Sequence, residues 1–348
     1  MRPGELSERE RKVLEAVIQT YVETARPAGS RQLARKFGLG VSPATIRNTM
    51  SDLEEKGLLY HPHTSAGRVP TDAAYRIYVD SLLPSPRLSP ADQQRLIREI
   101  RSIGASPIEV ILRRAAQSLG VITQELGVAL GPDLESTVLR RLDVVRLSAE
   151  RVLLVLTLER GAVRTIFVES RGDIADVALA EVTRVLNERL AGLSLREIRQ
   201  TLGTRLRDSM PSEHAAELLN VFIEEGEQLF DPGIARDEEN VLLGQASLLA
   251  EQPEFASSEG MRRLVALTET RERLAEILRR RSGLPGISIT IGSEHADPTL
   301  DSFTLVTSEY RAGDLTGVIG VIGPTRMPYD KVISLVRHAS QLVGELLE

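Results

Sequence analysis

A glycine-rich break between two short amphipathic segments near the start of the chain constrains the fold most strongly. The first segment has apolar residues at helical spacing, with Ser30 as its predicted cap, and Gly38-Leu39-Gly40 ends it. Ser42 and Pro43 begin another helix at once, because proline at the first helical position loses no hydrogen bond. Two short helices joined by a glycine turn predict a helix-turn-helix motif.

A longer helix precedes this motif, and a predicted hairpin follows it. The first helix is expected from about Ser7 to Thr24, with Ser7 and Glu10 as a capping box. Leu58–Tyr60 favours a strand, and Arg68–Thr71 favours a returning edge strand, in which a proline is tolerated. A hairpin directly after the second helix of the motif is typical of the wing of a winged helix.

The remainder of the chain has a mixed pattern and begins at a proline-rich boundary near residues 84–90. Strands are predicted at Val144–Leu147, Val152–Leu158, Val163–Val168, Ile287–Ile291, Phe303–Val306 and Val318–Ile322. Helices are predicted at Ala73–Leu83, Pro90–Ile103, Pro107–Leu126, Ala178–Leu190, Glu213–Leu229, Met261–Arg281 and Tyr329–Leu347. We therefore expect an α+β multidomain protein, in which one α+β domain of six strands carries a helical insertion.

Composition excludes several classes of protein. The 348 residues include no cysteine, so a disulfide framework, a thiolate nucleophile and a cysteine zinc site are impossible. The longest apolar runs, such as Val152–Leu156, are too short to span a bilayer, and Met1–Arg11 has no apolar core of a signal peptide. We expect a cytoplasmic protein.

The charge is unevenly distributed. The whole chain has a formal net charge of −6, which alone argues against a nucleic-acid-binding protein. Residues 1–84, however, hold 12 basic and 10 acidic residues, whereas the rest holds 31 basic and 39 acidic ones. The mildly basic part coincides with the predicted winged helix.

Motifs for catalysis are missing, and the isolated candidates are weak. The chain has no phosphate-binding loop, no H-E-x-x-H zinc motif and no G-x-S-x-G elbow. The spacing of Gly317, Gly320 and Gly323 differs from a dinucleotide fingerprint, so a buried strand end explains them better. Glu294-His295-x-Asp297 and His61-x-His63 are interpreted as a turn cluster and a wing loop. We expect no enzyme, no cofactor and no metal.

The helix that begins after Ser42 carries the strongest indication of function. Its apolar residues Ile46, Met50 and Leu53 are predicted to face inward. The opposite face and its flanks then present side chains that suit a DNA major groove, namely Ala44, Thr45, Arg47, Asn48 and Ser51. Phosphate contacts are predicted for Ser42 and, on the preceding helix, for Arg31, Arg35 and Lys36. The alternative is an ordinary solvated helix face.

Several long motifs resemble those of HrcA, the bacterial family of heat-inducible transcription repressors. The similarity rests on Pro27–Ser30, Val41–Asn48, Asp52–Glu54, His63–Thr71, Gln252–Phe255 and Ile322–Tyr329. The resemblance implies DNA contacts from Ser42, Ala44, Thr45, Arg47 and Asn48 in the helix, and from His63, Thr64, Ser65, Gly67 and Arg68 in the wing.

The same resemblance implies an architecture and partners. It implies a winged helix at 1–84, a GAF-like domain at 90–172 and 257–348, and an inserted dimerising domain at 173–256. It further implies a homodimer that binds double-stranded DNA at an inverted-repeat operator upstream of chaperone operons, with activity maintained by the GroEL chaperonin. One alternative remains open, a regulator whose GAF-like domain senses a small molecule, with the strand Thr316–Gly323 lining its pocket.

Overall fold

The fold is known from a computed structural model. It describes residues 6–63, 67–83, 88–101, 108–132, 134–135, 137–159, 162–169, 175–207, 213–230, 241–269, 271–313 and 315–347. The predicted boundary at Pro84-Ser85-Pro86 and the wing positions Thr64 and Ser65 lie outside these residues.

The amino-terminal elements form a winged helix, as predicted. Its helices are α1 (Glu8–Thr24), α2 (Ser30–Phe37) and α3 (Pro43–Glu55). The short strands β1 (Leu59–Tyr60) and β2 (Val69–Pro70) pair antiparallel as the base of the wing. Helix α4 (Asp72–Ile77) follows and continues as a π-helical turn over Tyr78–Leu82.

Capping side chains decide where α1 and α3 begin. The Ser7 hydroxyl accepts the Glu10 N–H and the Glu10 carboxylate accepts the Ser7 N–H, so the predicted capping box is confirmed. The Ser42 hydroxyl accepts the Thr45 N–H at 3.1 Å, with Pro43 at the first helical position. Both starts follow from the residue types alone.

The predicted cap of α2 was wrong by one residue. Gly29 is the capping residue and Ser30 is the first residue of the helix. The Gly29 carbonyl already accepts the first helical hydrogen bond, from the Leu33 N–H at 3.0 Å, as a capping residue does. The neighbouring Ser30 side chain makes no capping hydrogen bond.

The remaining part of the chain is a mixed α/β body. Its helices are α5 (Pro90–Arg101), α6 (Ile108–Thr123), α7 (Asp176–Leu190), α8 (Leu195–Arg207), α9 (Glu213–Leu229), α10 (Ser247–Ala250), α11 (Ser258–Glu269), α12 (Arg271–Arg279) and α13 (Tyr329–Leu347). Its strands are β3 (Leu126–Leu130), β4 (Leu139–Arg146), β5 (Arg151–Leu158), β6 (Val163–Glu169), β7 (Val241–Leu243), β8 (Ile287–Ile291), β9 (Phe303–Ala312) and β10 (Leu315–Pro324).

A five-stranded antiparallel sheet forms the centre of the body. Its strand order is β7-β3-β10-β9-β8, so β10 lies between β3 and β9. Leu126 and Val128 of β3 pack on one face together with Leu274 and Leu278 of α12. Ala129 belongs to the cluster on the other face, where α6 and α13 cover the sheet. Both faces are therefore buried, as in other layered α/β structures.

The second sheet corrects the expected grouping of strands. Strands β4, β5 and β6 pair only with each other among the described strands, in the order β4-β5-β6, and do not join the sheet of β8 to β10. Short connections allow them to pair as a meander without any distant strand. In contrast, β7 lies within the stretch expected to be inserted, yet it pairs with β3 of the central sheet.

Helix α7 packs on the three-stranded sheet, and α8 and α9 pack on α7 and on each other. The Asn187 side chain of α7 makes two hydrogen bonds to the main chain of Leu142 in β4. It accepts the Leu142 N–H at 2.9 Å and donates to the Leu142 carbonyl at 2.6 Å. These strands and helices thus form one compact unit within the body.

The predicted helix over Pro107–Leu126 was too long at its carboxyl end. Helix α6 ends at Thr123, and Leu126 already begins β3. Gln124 between them adopts a φ of 63°, a left-handed conformation that ends a helix. Because every residue of β3 is buried, its apolar run lacks the alternation that identifies a half-buried strand.

Candidate nucleic-acid interface

Helix α3 separates a buried face from an exposed face, as predicted. Ile46 and Leu53 are fully buried and Met50 nearly so, against the core of the winged helix. Arg47 and Asn48, which follow the buried Ile46, are exposed, and so is Ala44 at the start of the helix. The apolar contacts hold the helix in place, so its polar face is free to meet a ligand.

The first turn of α3 is organised around Ser42. Its hydroxyl lies 3.0 Å from the Thr45 hydroxyl, in addition to accepting the Thr45 N–H. The Ser51 hydroxyl donates to the Arg47 carbonyl at 3.3 Å, within the helix. Ser42 is exposed, while Thr45 and Ser51 are half-buried. Pro43 has no N–H and the Thr45 N–H is capped by Ser42, so the Ala44 N–H and the positive end of the helix dipole remain to bind a phosphate.

Four exposed polar side chains near this turn are unpartnered. Arg47 and Asn48 on α3, and Arg31 and Arg35 on α2, have no hydrogen-bond or ion-pair partner among the described residues. Each of the three guanidinium groups can donate two parallel hydrogen bonds to a phosphate or a guanine edge. Among the described residues, these four of the predicted contact side chains are therefore not engaged within the protein.

Lys36 is placed differently from the two arginines of α2. Its ammonium group forms an ion pair with Glu23 of α1 and lies 4.9 Å from the centre of the Phe37 ring. Its predicted phosphate contact would have to compete with both interactions.

The wing is described in part. His63 is exposed, whereas the next two predicted contacts, Thr64 and Ser65, lie outside the described residues. A Cβ atom on Gly67 would come within 2.3 Å of the Ala28 carbonyl oxygen, so only glycine fits there. The Arg68 main chain bonds to Ala28 in both directions at 2.9 Å. These contacts give Gly67 and the Arg68 backbone a role in anchoring the wing.

Glu54 is the residue that the sequence analysis missed in this region. It extends from α3 and forms an ion pair with Arg68, at 2.7 Å, and a hydrogen bond with the His61 ring, both on the wing. The Arg68 side chain is only 19% exposed, so it points at Glu54 and not at solvent. The motif Asp52–Glu54 contained this residue, but an acidic residue on a recognition helix has no pattern that predicts a partner 14 positions away.

Charge is polarised along α3. Its exposed acidic residues, Asp52 and Glu55, lie in the carboxyl-terminal half, whereas Arg47 and Asn48 lie in the amino-terminal half. The donors that suit phosphate oxygens and base edges therefore concentrate at one end of the helix.

The other motif candidates are accounted for by packing. Gly317, Gly320 and Gly323 lie on the central strand β10, where an added Cβ would meet Tyr310, Val306 and Glu125 within 2.3 Å. Close packing of neighbouring protein atoms therefore explains why these three positions are glycine. Within the described ranges, no group of three or more histidine or carboxylate side chains could hold a metal ion. No helix in the same ranges is both long enough and apolar enough to cross a bilayer.

Comparison with known proteins gives consistent matches over both parts of the chain. Residues 5–81 match the family model described as a winged helix-turn-helix transcription repressor, HrcA DNA-binding, and residues 109–333 match the HrcA protein C terminal domain. The heat-inducible transcription repressor HrcA of Chlorobium phaeobacteroides (strain BS1) is 39% identical, with 99% of each chain covered. Its counterpart from Geobacter sulfurreducens is 38% identical, again with 99% of each covered.

One solved structure shares the fold. It is described as that of a hypothetical protein at 2.2 Å resolution, and it superposes on this chain with a TM-score of 0.68. The two chains are 23% identical, and the superposition covers 99% of each. At that identity the likeness concerns the fold alone.

Proposed function

Because the chain belongs to the HrcA family of heat-inducible transcription repressors, we propose that it binds an inverted-repeat operator upstream of chaperone operons as a homodimer and leaves it on heat stress. The family membership covers nearly the whole chain. The operator, the dimer and the response to heat go beyond it, and each has its own support and test.

The observation that carries the proposal is the free polar face of α3. In the proposed complex, one α3 per subunit lies in the major groove, where Arg47 bonds to a guanine and Asn48 to an adenine. Arg31, Arg35 and the first turn at Ser42 contact the phosphates on either side. The methyl groups of Ala44 and Thr45 are suited to thymine. The exposure of these residues and the absence of described partners for Arg47 and Asn48 support this arrangement.

Dimerisation is proposed through the outer face of the three-stranded sheet. Val145, Leu153 and Phe167 lie side by side across β4, β5 and β6, on the face turned away from the buried residues of β5. Phe167 is 61% exposed and Val145 45%. Adjacent exposed apolar side chains of this kind mark an interaction surface. A second copy of the chain is the occupant that fits an inverted repeat, because two-fold DNA symmetry requires a two-fold symmetric protein.

The proposed division of the body follows the sheets. The central sheet with α5, α6 and α13 corresponds to the GAF-like domain that the family resemblance implies. The unit from β4 to α9, residues 139–229, corresponds to the inserted dimerising domain. Its limits differ from the expected 173–256, because the pairing of β4 to β6 and of β7 argues for an earlier start and an earlier end.

The proposed heat response depends on GroEL. If the repressor needs chaperonin to reach its active fold, damaged proteins that occupy GroEL during heat stress reduce the amount of active dimer. Family membership is the support for this step. Refolding the denatured protein with and without GroEL, followed by titration with operator DNA, tests it, and equal active fractions would count against it.

The operator-binding proposal is tested by gel shift of the purified protein on DNA from upstream of a chaperone operon of its own genome. We expect a shifted complex that survives excess random competitor DNA and that is lost after heating without chaperonin. Binding that random DNA abolishes at the same concentration as specific competitor would contradict the proposal. Footprinting of the complex should protect two half-sites related by inversion.

A further inference from the structure

Two motifs that DNA binding does not use meet beneath the winged helix. Arg326 lies in the motif Ile322–Tyr329 and Glu254 in the motif Gln252–Phe255. The Arg326 guanidinium donates to both Glu254 carboxylate oxygens, at 2.5 and 3.0 Å. Its remaining Nη1 donates to the Val22 carbonyl at 2.7 Å, in the last turn of α1. One arginine of the body thus holds the end of a helix in the DNA-binding domain.

A second arginine, which belongs to the DNA-binding domain, contacts a carboxylate of the body. Arg76 of α4 donates to both carboxylate oxygens of Glu294, which follows β8, with one distance of 2.7 Å. The same side chain donates to the Ile289 carbonyl at 2.8 Å. Asp72, one turn earlier, accepts the Ser293 N–H at 2.9 Å. The winged helix is therefore held to the edge strand β8 by α4 as well as to the body through α1.

An aromatic pair fills the interface near these two contacts. The rings of Tyr75 and Tyr329 are 5.8 Å apart, and each residue is only 1% exposed. Partial burial disfavours charge on Glu294, but the hydrogen bonds from Arg76 and from the Ile291 N–H outweigh it and lower its carboxyl pKa. Burial likewise disfavours charge on Arg326, and the bond to Glu254 more than compensates, so its pKa is raised. Arg76–Glu294 and Arg326–Glu254 are thus two ion pairs at the same interface.

We propose that these two arginine clamps, Arg76–Glu294 and Arg326–Glu254, fix the orientation of the winged helix on the body and thereby determine which spacing of operator half-sites the dimer accepts. The inference rests on the proposed function, since it presumes a dimer on an inverted repeat. Within that function, the clamps specify the spacing between half-sites, whereas α3 specifies the bases.

Geometry explains why two clamps are needed. A single contact leaves the domain free to pivot about it, but contacts at α1 and at α4 remove that rotation. Each clamp is bidentate, and the planar guanidinium fixes the direction of approach as well as the distance. A dimer that presents two recognition helices at a fixed separation accepts half-sites one helical turn apart or a multiple of it. A loosely attached winged helix would adjust to several spacings.

The test measures the preference for spacer length separately from the affinity for a single half-site. In vitro selection with the wild-type protein supplies the half-site, which is then built into inverted repeats whose spacers differ by one to five base pairs. For the wild type, we expect binding to weaken at least about tenfold when the spacer changes by half a helical turn. In Arg76→Ala/Arg326→Ala, we expect less than a threefold difference, while binding to a duplex with one half-site stays within twofold of wild type.

Four further variants complete the design. Arg280→Ala removes an exposed arginine that pairs with Glu276 of α12, outside the proposed dimerising unit, so it is the matched control and should keep the wild-type spacing preference. The single variant Arg76→Ala should lose part of the preference for spacer length. Exchange of the charges in Arg76→Glu/Glu294→Arg should restore part of that preference. If the double alanine variant does not fold, Arg76→Lys/Arg326→Lys answers the same question, because lysine keeps the charge without the bidentate geometry.

Different outcomes would contradict the clamp inference and the proposed function. A folded clamp variant that retains the full tenfold discrimination would overturn the inference while leaving operator binding intact. A wild-type protein that selects no inverted repeat would instead contradict the proposed function. Loss of one-half-site binding in the clamp variant would also count against the inference, since it would show damage to the DNA-binding domain itself.

Discussion

Arg68 of the wing donates to Glu54 of the recognition helix at 2.7 Å, so the two parts of the DNA-binding surface are joined by an ion pair. His61 contacts the same carboxylate from the start of the wing loop. The position of the wing relative to α3, the helix proposed to enter the major groove, is therefore set by Glu54, a residue that is not itself expected to touch DNA.

Replacement of Glu54 should loosen the wing. In Glu54→Gln, the largely buried Arg68 loses its charged partner, and we expect the free energy of unfolding to fall by about 1–3 kcal/mol. Operator binding should weaken as well, because the wing is no longer held. Chemical denaturation and operator titration measure the two effects. Glu55→Gln, which changes an exposed neighbour on the same helix, should alter neither by more than about 0.5 kcal/mol; an equal effect in both variants would refute the role of Glu54.

Gly67 should tolerate no side chain. In Gly67→Ala, the new methyl group would come within 2.3 Å of the Ala28 carbonyl oxygen and break the bridge between Ala28 and Arg68. We expect a loss of about 1–3 kcal/mol in the stability of the winged helix. Gly203→Ala in α8 is the matched control, since the nearest atom to a Cβ there is the Ile223 carbonyl oxygen at 3.7 Å, an ordinary contact. Similar thermal unfolding of the two variants would contradict the packing argument.

The ion pair of Glu10 should make stability dependent on pH. The hydrogen bond from Lys56, with that from the Ser7 N–H, lowers the Glu10 pKa to about 2. Because the folded pKa lies below the unfolded value of 4.5, the stabilisation is present above pH 4.5 and is lost as the pH falls toward 2.

Glu10→Gln should therefore lower the free energy of unfolding by about 1–2 kcal/mol at pH 7. The difference from wild type should shrink between pH 4.5 and 2. Denaturant titrations at a series of pH values measure it, and Lys56→Met should reproduce part of the loss. A difference that stays constant down to pH 2 would show that the carboxylate charge is not responsible.

Phe167 should control the oligomeric state. Phe167→Glu places a charge at the β6 end of the apolar row of Val145, Leu153 and Phe167, so we expect the proposed dimer to dissociate to monomers and operator affinity to fall at least about tenfold. Light scattering and gel shift measure the two effects. Val110→Glu, at a site on α6 with 45% exposure, should leave both unchanged. A dimeric Phe167→Glu protein would place the dimer interface elsewhere.

Local features of the sequence predicted the winged helix well, because capping residues and helix periodicity act over a few positions. Ser7, Ser42 and Pro43 fix helix starts by bonds within four residues. The grouping of strands in the body could not be predicted in the same way. The short connections favour pairing of β4, β5 and β6 with each other, but no local pattern shows that this meander stays separate from the sheet of β10, and the fully buried β3 lacks alternation.

The clamps were also beyond prediction from the sequence. Arg76 and Glu294 lie 218 positions apart, and Arg326 and Val22 lie 304 apart, so only the tertiary fold brings them together. The motifs around Glu254 and Arg326 could be identified in the sequence, but the contact between these two residues could not be predicted from it.

The most direct test of the account is the effect of Arg47→Ala on operator and on random DNA at fixed salt, with Arg35→Ala as the matched control. If α3 contacts bases through Arg47, its loss should weaken operator binding by about 1–3 kcal/mol and leave binding to random DNA nearly unchanged. Arg35→Ala should weaken both equally and reduce the salt dependence of binding. Equal losses on the two DNAs for Arg47→Ala would contradict base recognition by this helix.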